Sequence, residues 1–281
     1  MAATELTGSS KVSLVALRAT LETSFGSKSA TEVAAFASDL AEIRSALDSS
    51  SGLRRALTDP ARSAEAKSSL VKELFGKVVS PSALSLIESA VSLRWSSGSD
   101  LADAMEAITV EALAISSELV GESELLEVEI LAIVRSIESS AELRNGLNDP
   151  KYPTSAKQEM LHSLFGGAVS ASTTRVLDAM ITSLRGRNVE RTLSLYSNLV
   201  LARKERTVAH VKSAVALDDA RLTRLATALE KALGRKIRVD VEVDALVMGG
   251  ISVRIGDDLI DGTVVNRLMD ASRSLSGKAL R

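Results

Sequence analysis

One segment of this 281-residue chain occurs twice, and this repeat limits the possible folds more than any other feature. Residues 53–80 align without gaps with residues 143–170, and 12 of the 28 aligned positions are identical. Average residue usage would give about two identities by chance over this length. Internal duplication is the better interpretation, so the chain is predicted to contain two similar units in tandem.

Each copy has the pattern of short helices joined by brief loops. Ser29 and Glu32 have the spacing of a capping box, and Pro81 follows Ser80 where a first helical residue is expected. Apolar residues then recur at helical spacing, which predicts a helical bundle. The predicted inward-facing residues are Val33, Phe36, Leu40, Ile43, Leu47, Leu70, Val71, Leu74, Phe75, Leu84, Ile87 and Val91 in the first copy, and Leu126, Ile130, Val134, Ile137, Leu161, Leu164, Phe165, Leu177, Met180, Ile181 and Leu184 in the second.

Composition narrows the classes of function. Aromatic residues make up 2% of the chain and hydrophobic residues 45%, which suits cores of Ala, Leu, Val and Ile in helices. The chain has no cysteine, and its two histidines, His162 and His210, lie far apart, so neither a metal nor a cofactor is expected. The chain has 34 basic and 36 acidic residues, so its net charge creates no positive electrostatic field that would favour nucleic acid as a partner. No apolar run approaches the length of a membrane span.

The pattern changes near residue 207. Residues 208–215 favour an extended segment, Asp218 or Asp219 can begin an amphipathic helix, and residues 237–243 alternate as a strand does. The predicted fold class is mainly α, with two tandem helical bundles followed by a small α+β domain. The predicted domains are residues 1–110, 111–206 and 207–281, with a helix over residues 99–120 that closes the first bundle and also opens the second.

The end of the chain is predicted to form a β-hairpin and a helix. Ile251, Val253 and Ile255 alternate with polar residues, Gly256-Asp257-Asp258 has turn chemistry, and Thr263 can cap a final helix. Asp257 and Asp261 are interpreted as turn or cap residues. The alternative, a catalytic pair of carboxylates, has little support because no nucleophile or histidine accompanies them.

Residues 249–268, GGISVRIGDDLIDGTVVNRL, resemble the delta subunit of the rotary ATP synthase, called oligomycin-sensitivity-conferring protein in mitochondria. The resemblance continues upstream through ALEKALGRKIRVDVEVDALVMGG and is close over residues 171–281. Residues 1–170 look like the longer form of this subunit, in which the helical bundle is duplicated. The motif residues are Gly250, Gly256, Asp257, Asp261, Gly262, Thr263, Arg267 and Leu268.

The resemblance implies a non-catalytic subunit of the peripheral stalk, without a cofactor. Such a subunit links the N-terminal segments of the alpha subunits to the b-type stalk helices and resists the torque of the rotor. It lies at the cytoplasmic face of the cell membrane and meets the membrane only through the complex. A general helical-repeat adaptor is the alternative, since the duplication alone supports it.

The resemblance also implies a groove between the first and fifth helices of a bundle, which receives an alpha segment. The candidate helices are residues 11–26 and 81–95 in the first copy, or 100–117 and 171–185 in the second. Which copy holds the segment stays open. The candidate groove residues are Leu14, Leu17, Leu21, Leu84, Ile87, Val91 and Trp95.

Two charged stretches are predicted to be solvated surface. One is the basic segment 185–206, which includes Arg185 and Arg187, and the other is acidic and includes Glu122 and Glu129. Binding of an acidic partner helix is the alternative for the basic segment.

Overall fold

A computed structural model describes residues 6–25, 28–233, 237–244, 250–255 and 258–261. Within these ranges the chain forms twelve helices and four strands, and it divides into two compact units, residues 1–201 and 202–281. The helices are α1 (Gly8–Ser24), α2 (Ala30–Ser49), α3 (Ser51–Thr58), α4 (Ala64–Phe75), α5 (Pro81–Ser92), α6 (Gly98–Leu119), α7 (Ser123–Ser139), α8 (Ala141–Asn148), α9 (Thr154–Phe165), α10 (Ala171–Ile181), α11 (Val189–Thr207) and α12 (Asp219–Leu233). The strands are β1 (Val208–Ser213), β2 (Arg238–Val243), β3 (Ile251–Ile255) and β4 (Asp258–Asp261).

The duplication is visible in both the helices and their polar contacts. Helices α3, α4 and α5 each begin 90 residues before α8, α9 and α10. The backbone N–H of Ser80, which caps α5, donates to the Asp39 carboxylate at 2.9 Å. The N–H of Ser170, which caps α10, donates in the same way to Glu129 at 2.9 Å. The predicted fold class of duplicated helical bundles before a small α+β domain is confirmed.

Helix α6 lies at the centre of the first unit. Every residue from Leu101 to Ser117 is buried, and α6 contacts α1, α2 and α3 of the first repeat and α7 and α10 of the second. Buried residues from Leu6 to Val200 form one continuous hydrophobic core around it. Because the predicted boundary at residue 110 falls inside α6, the division into residues 1–110 and 111–206 stays a prediction.

Two residues predicted to face inward are exposed. Leu74 is 44% exposed and its counterpart in the second repeat, Leu164, is 54% exposed. Helices α4 and α9 touch the core through one stripe each, which includes Val71 and Phe75 in α4 and Leu161 and Phe165 in α9. A leucine one position outside that stripe turns to solvent.

The second unit contains a four-stranded sheet with the order β2-β1-β3-β4. β1 and β2 are parallel and are joined through α12, whereas β1–β3 and β3–β4 are antiparallel. Apolar side chains of the sheet pack together, including Ala209, Val211 and Val253. The side chain of Asp218 accepts a hydrogen bond from the Arg221 N–H at 2.7 Å, at the start of α12.

The predicted hairpin is β3–β4, in which Ser252 pairs with Asp261 and Ile255 with Asp258. Gly250, just before β3, has φ +86°, a left-handed conformation that glycine adopts readily. The other predicted motif residues lie outside the described residues: Gly256, Asp257, Gly262, Thr263, Arg267 and Leu268.

Candidate partner-binding surfaces

Most of the candidate groove residues pack in the core between α1 and α5, which are in contact. Their side chains hold the two helices together, so little of their surface is free to touch a partner. The exposed fractions are 3% for Leu14, 0% for Leu17, Leu21, Ile87 and Val91, and 9% for Trp95, and Leu84 is partly buried.

The open apolar surface of α1 lies on its other face. Val12 is 71% exposed and Val15 is 56% exposed, and their spacing of three places them side by side on the helix. The prediction from the sequence missed both residues, because the stronger leucine stripe was assigned to the groove. The sequence did contain a signal for them, because Val12 and Val15 form a second apolar stripe beside the leucine stripe.

A cavity of about 370 Å³ lies at the end of α5. The indole N–H of Trp95 donates to the Ala90 carbonyl at 2.8 Å, which fixes the ring beside this cavity. Arg62, Lys67 and Arg94 are among the lining residues, and none of those residues is acidic. The cavity is therefore suited to a carboxylate from a partner.

The corresponding helices of the second repeat are α6 and α10. Helix α6 has no open side between Leu101 and Ser117, because it also packs against α2 and α3. On α10, Val176, Leu177 and Met180 are buried as well. The first helix of the groove is therefore partly exposed in the first repeat, where it is α1, but buried in the second repeat, where it is α6.

A buried cluster of charges joins the two repeats. The Arg185 guanidinium donates to Asp48 at 2.9 Å and to Asp103, and Arg187 donates to Glu106 at 2.5 Å. The side chain of Glu106 is 0% exposed. The prediction that Arg185 and Arg187 belong to a solvated helix face is wrong, since both lie between α10 and α11 and pair with carboxylates of α2 and α6.

The acidic stretch also contains side chains with structural partners. Glu129 accepts hydrogen bonds from the backbone N–H and the hydroxyl of Ser170 and from the hydroxyl of Thr173. Glu122 accepts one from the Ser172 hydroxyl at 2.6 Å. These two glutamates fasten the start of α10, so their interpretation as solvated surface is wrong.

Burial raises the pKa of the Asp103 carboxyl above its usual range, although the Arg185 guanidinium opposes this shift. A raised pKa in the folded state means that the fold favours the protonated carboxyl. The stabilising contribution of this group is therefore complete below its unfolded-state pKa and is lost as the pH rises through the folded-state value.

We expect the stability difference between the wild type and Asp103→Asn to depend on pH. The free energy of unfolding of the wild type should rise relative to that of the variant as the pH falls from about 7 to about 4, where a free aspartate protonates. Urea unfolding at four pH values measures the difference. Glu73→Gln, at an exposed position on α4, is the control and should show no such trend. If the stability difference between the wild type and Asp103→Asn does not change with pH either, the expectation is wrong.

No helix in the described part of the chain has the length and apolar character needed to cross a membrane. Across the same residues, no group of three or more histidine, aspartate or glutamate side chains is arranged to hold a metal ion.

Known proteins resemble the chain over nearly its whole length. The family model described as ATP synthase delta (OSCP) subunit matches twice, over residues 19–115 and 110–275, and the two matches overlap within α6. ATP synthase subunit delta of Kineococcus radiotolerans is 38% identical over 270 residues, which cover 96% of this chain and 98% of that protein. ATP synthase subunit delta of Streptomyces griseus is 38% identical over 97% of this chain and 100% of its own length. That of Nocardioides sp. is 42% identical over 88% of this chain and 89% of its own length. The chain therefore belongs to the ATP synthase delta (OSCP) subunit family.

Proposed function

We propose that this chain is a non-catalytic subunit of the peripheral stalk in a proton-translocating rotary ATP synthase. In this role it links the N-terminal segments of the alpha subunits to the b-type stalk helices and resists the torque of the rotor. Family membership over nearly the whole chain is the observation that carries the proposal. The chain acts at the cytoplasmic face of the membrane, with no cofactor, no nucleic acid partner and no membrane contact except through the complex.

The first repeat supplies the site for an alpha segment, in the region of α1 and α5. Val12 and Val15 offer an exposed apolar surface on α1, and the cavity beside Trp95 offers basic side chains. An amphipathic helix can cover the valines with its apolar stripe. One of its carboxylates can then reach the cavity, where Arg62 and Arg94 stand.

The buried leucines of α1 and the apolar residues of α5 pack in the core beneath this surface and hold the two helices in place. Leu14, Leu17 and Leu21 pack toward the core, so they set the position of α1 rather than touch the segment. The C-terminal unit, which carries the motif that begins near Gly250, docks the b-type helices.

We expect Val15→Glu to weaken binding of the alpha segment by about tenfold or more, because it removes apolar contact and places a charge at the interface. A labelled peptide of the N-terminal segment of the alpha subunit, titrated into the full chain, measures the affinity. Val78→Glu is the matched control, because Val78 is 62% exposed and lies after α4.

Equal affinity for Val15→Glu and the wild type would move the site away from α1. Failure of the wild type to bind either the alpha peptide or the soluble part of the b subunit would overturn the proposed function. Recovery of other defined partners in place of synthase subunits would favour a general adaptor.

A further inference from the structure

Helix α10 of the second repeat faces α2 of the first across a cavity. Ser38 and Ala41 of α2 and Ala179 of α10 line a cavity of about 250 Å³ between these helices. Close by, the Arg44 guanidinium donates to the Thr182 carbonyl at 3.3 Å. One face of α2 thus faces a helix of the following repeat.

The same face of the second repeat lies on α7 and is open. At the offset of 90 residues, Ser38 and Ala41 correspond to Val128 and Leu131, which are 63% and 37% exposed. Leu125, one turn earlier, is 48% exposed. The opposite face of α7 is buried in the core through Leu126 and Ile130, so α7 is apolar on two sides. A helix of this kind is normally covered on both sides.

The other end of the repeat pair is polar. The residues of α10 that line the cavity facing the first repeat include Arg175, Asp178 and Ala179. Their counterparts on α5 are Ser85, Glu88 and Ser89, which are exposed or half-exposed. Stacked repeats end in polar faces because no further repeat covers them. The α5 end follows this rule, whereas the α7 end has the apolar character of an interface.

The charges beside the α7 face indicate the chemistry of what covers it. Glu124 and Glu127 each precede one of its exposed apolar residues by four positions, and Glu138 follows Leu131 by two turns. Arg135, the basic residue of α7, follows Leu131 by four positions and shares this face, so the three glutamates leave it acidic overall. A complementary helix carries an aliphatic stripe with lysine or arginine beside it.

We infer that the outer face of α7 docks an amphipathic helix of another ATP synthase subunit, one that presents an aliphatic stripe flanked by basic residues. This helix faces α7 as α10 faces α2, but in direct contact with the exposed apolar residues. The source of the helix rests on the proposed function, but the surface is distinct from the α1–α5 site.

Photo-crosslinking in the assembled ATP synthase tests this docking. Val128→p-benzoylphenylalanine is expected to form a crosslink that maps by mass spectrometry to a basic amphipathic helix of another subunit. Val78→p-benzoylphenylalanine is the control, because Val78 has nearly the same exposure, 62% against 63%. We expect the crosslink yield at position 128 to exceed that at position 78 by about tenfold.

A crosslink from position 128 to this chain itself, to a second copy of it or to a segment without lysine or arginine would overturn the inference. A yield no higher than at position 78 would do the same. Val15→p-benzoylphenylalanine separates this test from that of the proposed function. If position 15 crosslinks to an alpha segment but position 128 does not crosslink to a basic helix, only the α7 site is overturned. If position 128 crosslinks to a basic helix but position 15 does not crosslink to an alpha segment, only the α1–α5 site is overturned.

A second measurement does not depend on the crosslinker. The triple variant Leu125→Gln, Val128→Gln and Leu131→Gln should fold as the wild type does, because all three side chains are exposed. Its affinity for ATP synthase depleted of the delta subunit should fall by about tenfold or more. An affinity equal to that of the wild type would contradict the α7 site.

Discussion

Leu17→Glu is expected to lower the free energy of unfolding by about 4 kcal/mol or more, enough to unfold much of the first unit. Leu17 is 0% exposed and belongs to the continuous hydrophobic core. A carboxylate at this position would be taken out of water without a designed partner, and burial of an unpaired charge is among the most costly single changes. Urea unfolding followed by circular dichroism measures the loss.

Val15→Glu is the matched control, on the same helix and with the same new side chain. Val15 is 56% exposed, so its substitution should change the free energy of unfolding by no more than about 0.5 kcal/mol. Similar losses for the two variants would show that α1 does not pack as described. The contrast also decides how binding data should be interpreted: lost binding in Leu17→Glu reports unfolding, whereas lost binding in Val15→Glu reports the surface.

Glu106→Ala is expected to destabilise the chain by about 3 kcal/mol, because it removes a fully buried carboxylate and leaves the Arg187 guanidinium without its acidic partner. Arg187 donates to Glu106 at 2.5 Å, and Arg185 lies 3.8 Å from it. Both arginines lie on the segment between α10 and α11, and their side chains are 22% and 18% exposed. Urea unfolding again measures the change.

Glu88→Ala provides the comparison for Glu106→Ala. Glu88 pairs with Lys72 at 3.5 Å, and the two side chains are 24% and 61% exposed. Solvent screens such a pair, so its loss should cost no more than about 1 kcal/mol. If Glu106→Ala costs as little as Glu88→Ala, the buried cluster does not hold the repeats together.

Local features of the fold were predictable because they depend on residues close in sequence. Ser29 and Glu32 form the predicted capping box, with the Ser29 N–H donating to the Glu32 carboxylate at 2.8 Å. Pro81 is the first residue of α5, as its missing N–H allows. The alternation of residues 251–255 predicted β3 for the same reason, since a strand shows its period within a few residues.

The candidate site was predicted less well, because exposure depends on what packs across each helix. Periodicity identified the leucine stripe of α1 but could not show that α5 covers it, nor that Val12 and Val15 are the residues left open. The charge pairs were missed for a related reason. Arg187 and Glu106 are 81 positions apart in sequence, and no local pattern marks them as partners.

The duplication, the helical class, the change to an α+β unit near residue 207 and the resemblance to the delta subunit family could all be inferred from the order of residues. These follow from composition, period and local capping, which act over a few residues at a time. The burial of α6 by both repeats and the exposed apolar face of α7 emerged from the folded arrangement alone. Burial is a property of the assembled helices, because the hydrophobic effect responds to the area removed from water and not to the order of residues along the chain.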